Sequence, residues 1–337
     1  RWGLHRLSAD RFPAVVIDRD GDGQRATLRE LDQRALPAGN VLVRVEASTV
    51  NYKDGLLLSG AIPLIQSFPM VPGIDLAGTV AWSDHPHWQV GDRVVANGWG
   101  LGERHWGGYA GKCRLEGDWL IARPDRFSAK QAMAIGTAGY TAMLCVQALE
   151  RQGVRPDHGE ILVTGASGGV GSIAISLLAG RGYDVVAATG RAAEEPYLRH
   201  LGAKSVIDRS AFAEAGAPLQ KERWAGAIDA AGSHTLANIC ASLRYGGTVA
   251  ATGIAQGTDF PATMYPLALR GITICGVDSV QAPIDVRQRA WAALAAELDL
   301  DLLASMTNEI QLADVIEKAP AILTGNIRGR TVVEIEA

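Results

Sequence analysis

The chain has 337 residues, 47% hydrophobic and 20% charged, with a formal net charge of -4 at pH 7. That length allows two domains, each burying its own core. An acidic balance without runs of Lys and Arg excludes a general polyanion-binding face, so no nucleic-acid partner is expected. Cys113, Cys145, Cys240 and Cys275 are widely separated, with no C-x-x-C spacing; this argues against a zinc cluster or a disulfide framework and fits a reducing cytoplasm. The start, RWGLHRLSAD, lacks the apolar core of a signal peptide, and no apolar run reads as long enough to span a bilayer, so no membrane partner is expected.

Through about residue 120 the sequence reads as short β segments: AVVID, ATLREL, VLVRVEASTV, DLAGTVAW and DRVVAN, separated by turn signals such as DGDG, LPAGN and VGD. This predicts a compact, mainly β module. Near Ser128 the texture changes to SAKQAMAIGTAGYTAMLCVQALE, with a helical period, Ser128 as N-cap and GTAG as a central break. Six apolar segments follow: ILVTG, DVVAATG, SVID, AGAIDAAG, TVAATG and ITICGVD. Alternating with crossovers, they predict an open, doubly wound parallel sheet. The tail predicts helical segments over 287–298 and 312–319 and a closing strand, RTVVEIE.

The stretch TGASGGVGS fits two motifs. GASGG matches the G-x-S-x-G elbow of a hydrolase, with Ser167 as nucleophile, and ASGGVG matches a dinucleotide loop with Ala in place of the first Gly. An elbow follows several parallel strands, whereas ILVTG reads as the first of its sheet. An elbow also gives no reason for Gly171. In a dinucleotide loop, Gly168 lets backbone N-H groups of Gly169 and Val170 approach a pyrophosphate, and Gly171 lets the helix pack on its strand. Ser167 is then a cradle residue.

The next strand ends in Thr189, Gly190 and Arg191, where an NAD site wants a carboxylate. A guanidinium forks onto a phosphate, so the 2'-phosphate of NADP(H) fits better. The alternatives are that Arg191 caps the following helix region, or that Glu194 or Glu195 serves NAD if the strand ends later.

An all-β module, a glycine loop opening a six-strand domain and a return tail resemble the medium-chain dehydrogenase/reductase superfamily. The resemblance is carried by NYKDGL, FPMVPGIDLAGTV, GWGLGERHWGGYA, IGTAGYTAMLCVQALE, TGASGGVGS, LQKERWAGAIDAAG and GVDSV, which span nearly the whole chain. The match is closest to the zinc-free quinone oxidoreductase branch and, within it, to the acryloyl-CoA reductase (NADPH) family. It implies a GroES-like, mainly β catalytic domain over 1–124 and 281–337, and an NADP(H)-binding Rossmann domain over 125–280. Zinc-dependent members carry a His where this chain has Ile74 and a Cys near Asn51 and Tyr52. Without imidazole or thiolate ligands no metal site is expected.

The implied reaction is reduction of the C=C bond of a small α,β-unsaturated acyl-CoA by hydride transfer to the β-carbon. An NADPH:quinone oxidoreductase and a non-catalytic NADPH-binding protein are the alternatives. Tyr52 is the candidate for a polar group facing nicotinamide or substrate, with a core aromatic as its structural alternative. The donor tyrosine of related enoyl reductases falls at Ala61 and Ile62 here, leaving water as an alternative proton source. Asn51 is grouped with Tyr52 as catalytic, although it and Asp54 fit a turn-holding role better. Lys53, Arg104 and His105 are candidates for CoA phosphates. Thr137 sits in the helix break within reach of a cofactor. The resemblance aligns Lys204, Ser279 and Asn326 near the cofactor, with Lys204 on the 2'-phosphate side. It also implies a homodimer paired through the apolar edge strand ITICGVD.

Overall fold

The computed structural model describes residues 11–335; the reading of RWGLHRLSAD lies outside the described residues. The chain divides into two compact units, the first comprising residues up to 137 with 280–288 and 307 onward, the second residues 138–279 and 289–306.

The first unit opens with a hairpin of β1 (Arg11–Asp20) and β2 (Gly23–Asp32), turned at Gly21 with φ +57°. β3 (Val41–Thr49) follows, then helix α1 (Tyr52–Ser59), β4 (Asp75–Ser83), β5 (Arg93–Asn97), β6 (Lys112–Leu115) and β7 (Ile121–Ala122). Val41, Val43 and Val45 alternate inward on β3 and meet Leu76, Val80 and Val94 in the core. NYKDGL, expected as a turn, is a helix. Its cause is local: Asp54, three residues on, accepts from the backbone N-H of Asn51 at the N-cap (2.9 Å).

Helix α2 (Ala129–Arg151) starts at a reciprocal Ser128–Gln131 pair and breaks at Gly136, whose φ 51° and ψ -159° leave the helical region. By length and composition alone it is apolar enough to cross a bilayer, which corrects the sequence expectation; 89% of its most apolar window is buried in the protein.

The second unit contains β8 (Ile161–Val163), α3 (Gly169–Gly180), β9 (Val185–Thr189), α4 (Glu195–His200), β10 (Ser205–Asp208), β11 (Trp224–Asp229), α5 (Ser233–Ser242), β12 (Leu243–Ala251), α6 (Tyr265–Arg270) and β13 (Thr273–Gly276). All six expected segments are strands, pairing in parallel in the order β10-β9-β8-β11-β12-β13. The order reverses between β8 and β11, and such sheets bind ligands outside the carboxyl ends of the strands at that point.

The return holds α7 (Ile284–Glu297), α8 (Leu300–Ser305), β14 (Thr307–Gln311), α9 (Val315–Lys318) and β15 (Arg330–Glu334). β15 sits between β14 and β3, completing the seven-stranded sheet of the first unit. The unit boundaries differ from the expected 125–280 in two places. Residues 125–137 stay with the first unit, because Thr137 is bonded to Asp75 on β4. Residues 289–306 join the second, where Glu297 pairs with Arg181 just past α3.

Candidate functional site

The glycine loop joins β8 to α3. Gly165 takes φ +57°, and Gly168 caps the helix in extended conformation with no side-chain cap. Gly169, Val170 and Gly171 form the first turn, and Ser172 N-H donates to Gly168 O (2.9 Å). The first N-H groups of a helix have no intrahelical acceptor. A Cβ on Gly171 would lie 2.4 Å from Gly165 O and 2.7 Å from Ala166 Cα, so packing of the helix on its own turn compels glycine there. On Gly168 the nearest atom would be Gly165 O at 3.3 Å. That one tight contact is with the loop's own backbone, and no other atom lies within 4 Å, so Gly168 sits beside free donors and a positive helix end, which is what a pyrophosphate needs.

Ser167 is buried, and its hydroxyl accepts from Arg191 Nη2 (2.9 Å) and lies 3.5 Å from Thr189 Oγ1. It keeps φ out of the left-handed region, and no His bonds it among the described residues. Neither the strained elbow nor its general base is formed among the described residues, so Ser167 is not placed as a nucleophile.

Arg191 stands at the open end of β9, beside Gly190, and makes no side-chain cap to the turn that follows. Its backbone N-H donates to Thr189 Oγ1 (3.2 Å), and its Nη1 lies 3.7 Å from Glu194 Oε1. Glu195 pairs instead with Arg199. The two carboxylates that were candidates for an NAD ribose are thus engaged by guanidinium groups.

Lys204 is a correction. Its N-H bonds Val185 O and its Nζ pairs with Asp184 (2.7 Å), both at the start of β9. It therefore precedes β10 at the amino end of the strands, about 13 Å from the carboxyl end at some 3.3 Å per residue. At the carboxyl end stands Arg209 instead, which follows the Asp208↔Thr189 pair. A Cβ on Gly190 would lie 2.5 Å from Arg209 Nε, so this guanidinium lies directly against Gly190. The sequence signal was present in SVIDRS, since a parallel strand one place over ends beside Thr189.

A second residue not singled out is Asp229, fully buried at the end of β11. It accepts from Thr164 Oγ1 (2.6 Å) and from the N-H of Ala231 and Gly232, tying the entry of the glycine loop to the next strand. Burial raises its carboxyl above the usual range. Ser279 follows β13, past Val277, which accepts from Thr252 Oγ1, and so lies on the carboxyl side of the same sheet.

In the first unit Tyr52 is the first residue of α1. It is 44% exposed and its hydroxyl makes no hydrogen bond among the described residues, which overturns the core-aromatic alternative. Asn51 beside it is buried and committed. Its backbone N-H donates to Asp54 Oδ2 (2.9 Å), its Nδ2 to Asp75 Oδ2 (2.8 Å) and Asp54 Oδ2 (3.2 Å), and its Oδ1 accepts from Arg330 Nη2 (3.3 Å). With every polar group occupied, Asn51 holds structure and is removed from the catalytic candidates. Thr137 donates both its N-H (2.8 Å) and its hydroxyl (2.5 Å) to Asp75, which also accepts from Asn97 Nδ2 (2.7 Å). Arg330 completes this network, donating to Ala134 O and Thr49 Oγ1.

Lys53 pairs with Glu103 (2.6 Å), so it carries little free charge. Arg104 and His105 are exposed, and burial followed by Arg104 holds the His105 imidazole below its ordinary value. Asn326 borders a cleft of about 510 Å³ in the first unit, with Val50, Ile310 and Thr331. Among the described residues no three His, Cys, Asp or Glu side chains gather to hold a metal ion.

Two family descriptions match: an alcohol dehydrogenase GroES-like domain over 37–148 and a zinc-binding dehydrogenase over 169–297. The chain is 48% identical over 322 residues to a probable acrylyl-CoA reductase, AcuI, of Escherichia coli K12, covering 96% of this chain and 99% of that one. It is 46% identical over 329 residues to the acrylyl-CoA reductase AcuI of Ruegeria pomeroyi, covering 97% and 100%. The crystal structure of YhdH from E. coli K-12 with bound NADPH superposes with a TM-score of 0.94 at 48% identity, covering 96% and 100%.

Proposed function

The chain belongs to the acryloyl-CoA reductase family of the medium-chain dehydrogenase/reductase superfamily, and from that premise we propose that it reduces the C=C bond of a small α,β-unsaturated acyl-CoA, acryloyl-CoA first, with NADPH. The observation that carries the reading is kinship near 47% identity over almost the entire chain to two acrylyl-CoA reductases. The cradle fits the cofactor: space over Gly168, a glycine-only turn at Gly171, and Arg191 and Arg209 flanking Gly190.

Bound NADPH supplies a hydride to the β-carbon, which the thioester carbonyl has made electrophilic. The remaining tasks fall to the protein. Ser167, Thr189 and Arg191 hold the nucleotide end, with Arg209 adding a second cation. Negative charge develops on the thioester oxygen, and a donor already in place stabilises it more than a mobile one. Tyr52, exposed and with a free hydroxyl, is our candidate for that donor or for the proton to the α-carbon.

The test is NADPH oxidation followed at its absorbance with acryloyl-CoA and with a quinone, for the wild type and Tyr52→Phe. Turnover of the thioester but not the quinone is expected, with Tyr52→Phe slowed about 10²-fold or more. Turnover of the quinone alone overturns the substrate; an undiminished Tyr52→Phe overturns its role.

We further propose a cytoplasmic homodimer joined through β13. This strand ends the six-stranded sheet, and α6 before it leaves its capping residue Met264 and its Leu269 68% and 59% exposed. The four cysteines are free thiols, which suits a reducing compartment. Sedimentation of the wild type and Ile274→Pro tests the dimer, and cell fractionation the compartment.

A further inference from the structure

Asp54, Asp75 and Arg330 are 0%, 0% and 2% exposed in the core of the first unit. Two carboxylates and one guanidinium leave one negative charge uncompensated, an arrangement costing several kcal/mol when dry. A single bound proton removes it.

The hydrogen bonds say where that proton goes. Asp75 receives four donors, from Asn51, Asn97 and twice from Thr137, at 2.5–2.8 Å. Asp54 receives three, from Ile74 N-H (2.9 Å), Asn51 N-H (2.9 Å) and Asn51 Nδ2 (3.2 Å), and the last of these is shared with Asp75 at the shorter distance. The more weakly held oxygen is Asp54 Oδ1, which accepts from Ile74 N-H alone, whereas Oδ2 accepts two donors from Asn51. Burial first, then the charge of Asp75, pushes Asp54 up to about 7 against the three hydrogen bonds. The other ionisable group facing it is Tyr109, kept protonated by burial, its hydroxyl donating to Thr49 O. The turn packed on Gly55 presents Ile322 and Leu323, which carry no charge.

Every partner of Asp54 is a donor, so a protonated Asp54 must turn an O-H toward a group that also offers a hydrogen. The contact that gives way is the one from Ile74 N-H (2.9 Å), which ties down the first turn of α1, the helix whose first residue is Tyr52. We propose that Asp54 is a positioning residue: as a carboxylate it clamps the first turn of α1 to Ile74 and holds Tyr52 in place, and on protonation it releases that turn. This rests on the reductase reading and on the role of Tyr52 within it.

The experiment follows acryloyl-CoA reduction with pH in the wild type, Asp54→Asn and Tyr52→Phe, and in parallel the amide resonances of Ile74 and Asn51 without substrate. In the wild type the rate rises about tenfold per unit below a pKa near 7 and is level above it. Both amide resonances shift over the same interval. Asp54→Asn is slow and flat through it, whereas Tyr52→Phe is slower at every pH but keeps the amide titration. Wild-type amides that do not titrate near 7 overturn the proposal, even if Asp54→Asn fails to fold. So does a rate inflection that survives in Asp54→Asn. An absence of turnover at every pH strikes the reductase reading, and the amide titration still decides Asp54.

Discussion

Replacing Arg191 by Ala tests the cofactor assignment. In the cradle the guanidinium directs one nitrogen to Ser167 Oγ at 2.9 Å and another to Glu194 at 3.7 Å. A hydrogen bond from a charged group is worth about 1.5–3 kcal/mol. With the side chain 27% exposed, screening moves the value toward the middle of that range. A loss of about 2 kcal/mol is about 30-fold in the dissociation constant for NADPH. NADH lacks the phosphate and changes little. Fluorescence titration with both nucleotides, alongside initial rates, measures the ratio. Elevated salt narrows the wild-type preference more than that of the variant. An unchanged ratio, or an equal loss for both nucleotides, refutes the phosphate contact.

Gly171→Ala brings a methyl 2.4 Å from Gly165 O, so the loop must open at a cost of about 1–3 kcal/mol, read as weaker binding of both nucleotides alike. Gly136→Ala puts a side chain at φ 51° with its Cβ 2.9 Å from Arg330 Nη2 and Asp75 Oδ2; thermal unfolding should show a loss of about 2–6 kcal/mol. Arg330→Met removes the cation from a buried trio and destabilises by about 3–5 kcal/mol. The sign with pH follows from Asp54. A carboxyl whose native pKa lies above 3.8 binds its proton more tightly when folded, so stability falls as pH rises from 3.8 to about 7 and is level beyond. Without Arg330 that fall is steeper and extends higher, so denaturation midpoints of variant and wild type should diverge as pH rises.

The second unit was legible because its strands are buried on both faces and spell themselves as apolar runs, Ile161–Val163 and Val185–Thr189 among them. The short strands β6 and β7 were not, since four and two residues carry no period, and Thr307–Gln311 is too polar to read as β. Helix α1 escaped for a different reason: N-x-x-D serves both an Asx turn and a capping box, and only the chain beyond decides. At the candidate site, local chemistry sufficed to put the glycine loop at the start of α3 and Arg191 just past the end of β9. Lys204 was misplaced by alignment, and Arg209 was missed. Which end of a strand a residue occupies depends on register, and register is a tertiary fact.

The interlock of β15 between β14 and β3 bears on how the molecule is made. Thr49 donates its hydroxyl to Thr331 O at 2.8 Å across 282 residues, and Arg330 reaches Ala134 and Thr49 from the same late strand. During synthesis most of the nucleotide-binding unit, residues 138–279, has emerged from the ribosome and can collapse. The earlier β module meanwhile waits with an open seam along β3. Its closure waits until Arg330–Glu334 have emerged, and disrupting that one late strand would leave the β3 seam unsealed long after the rest of its sheet has been made.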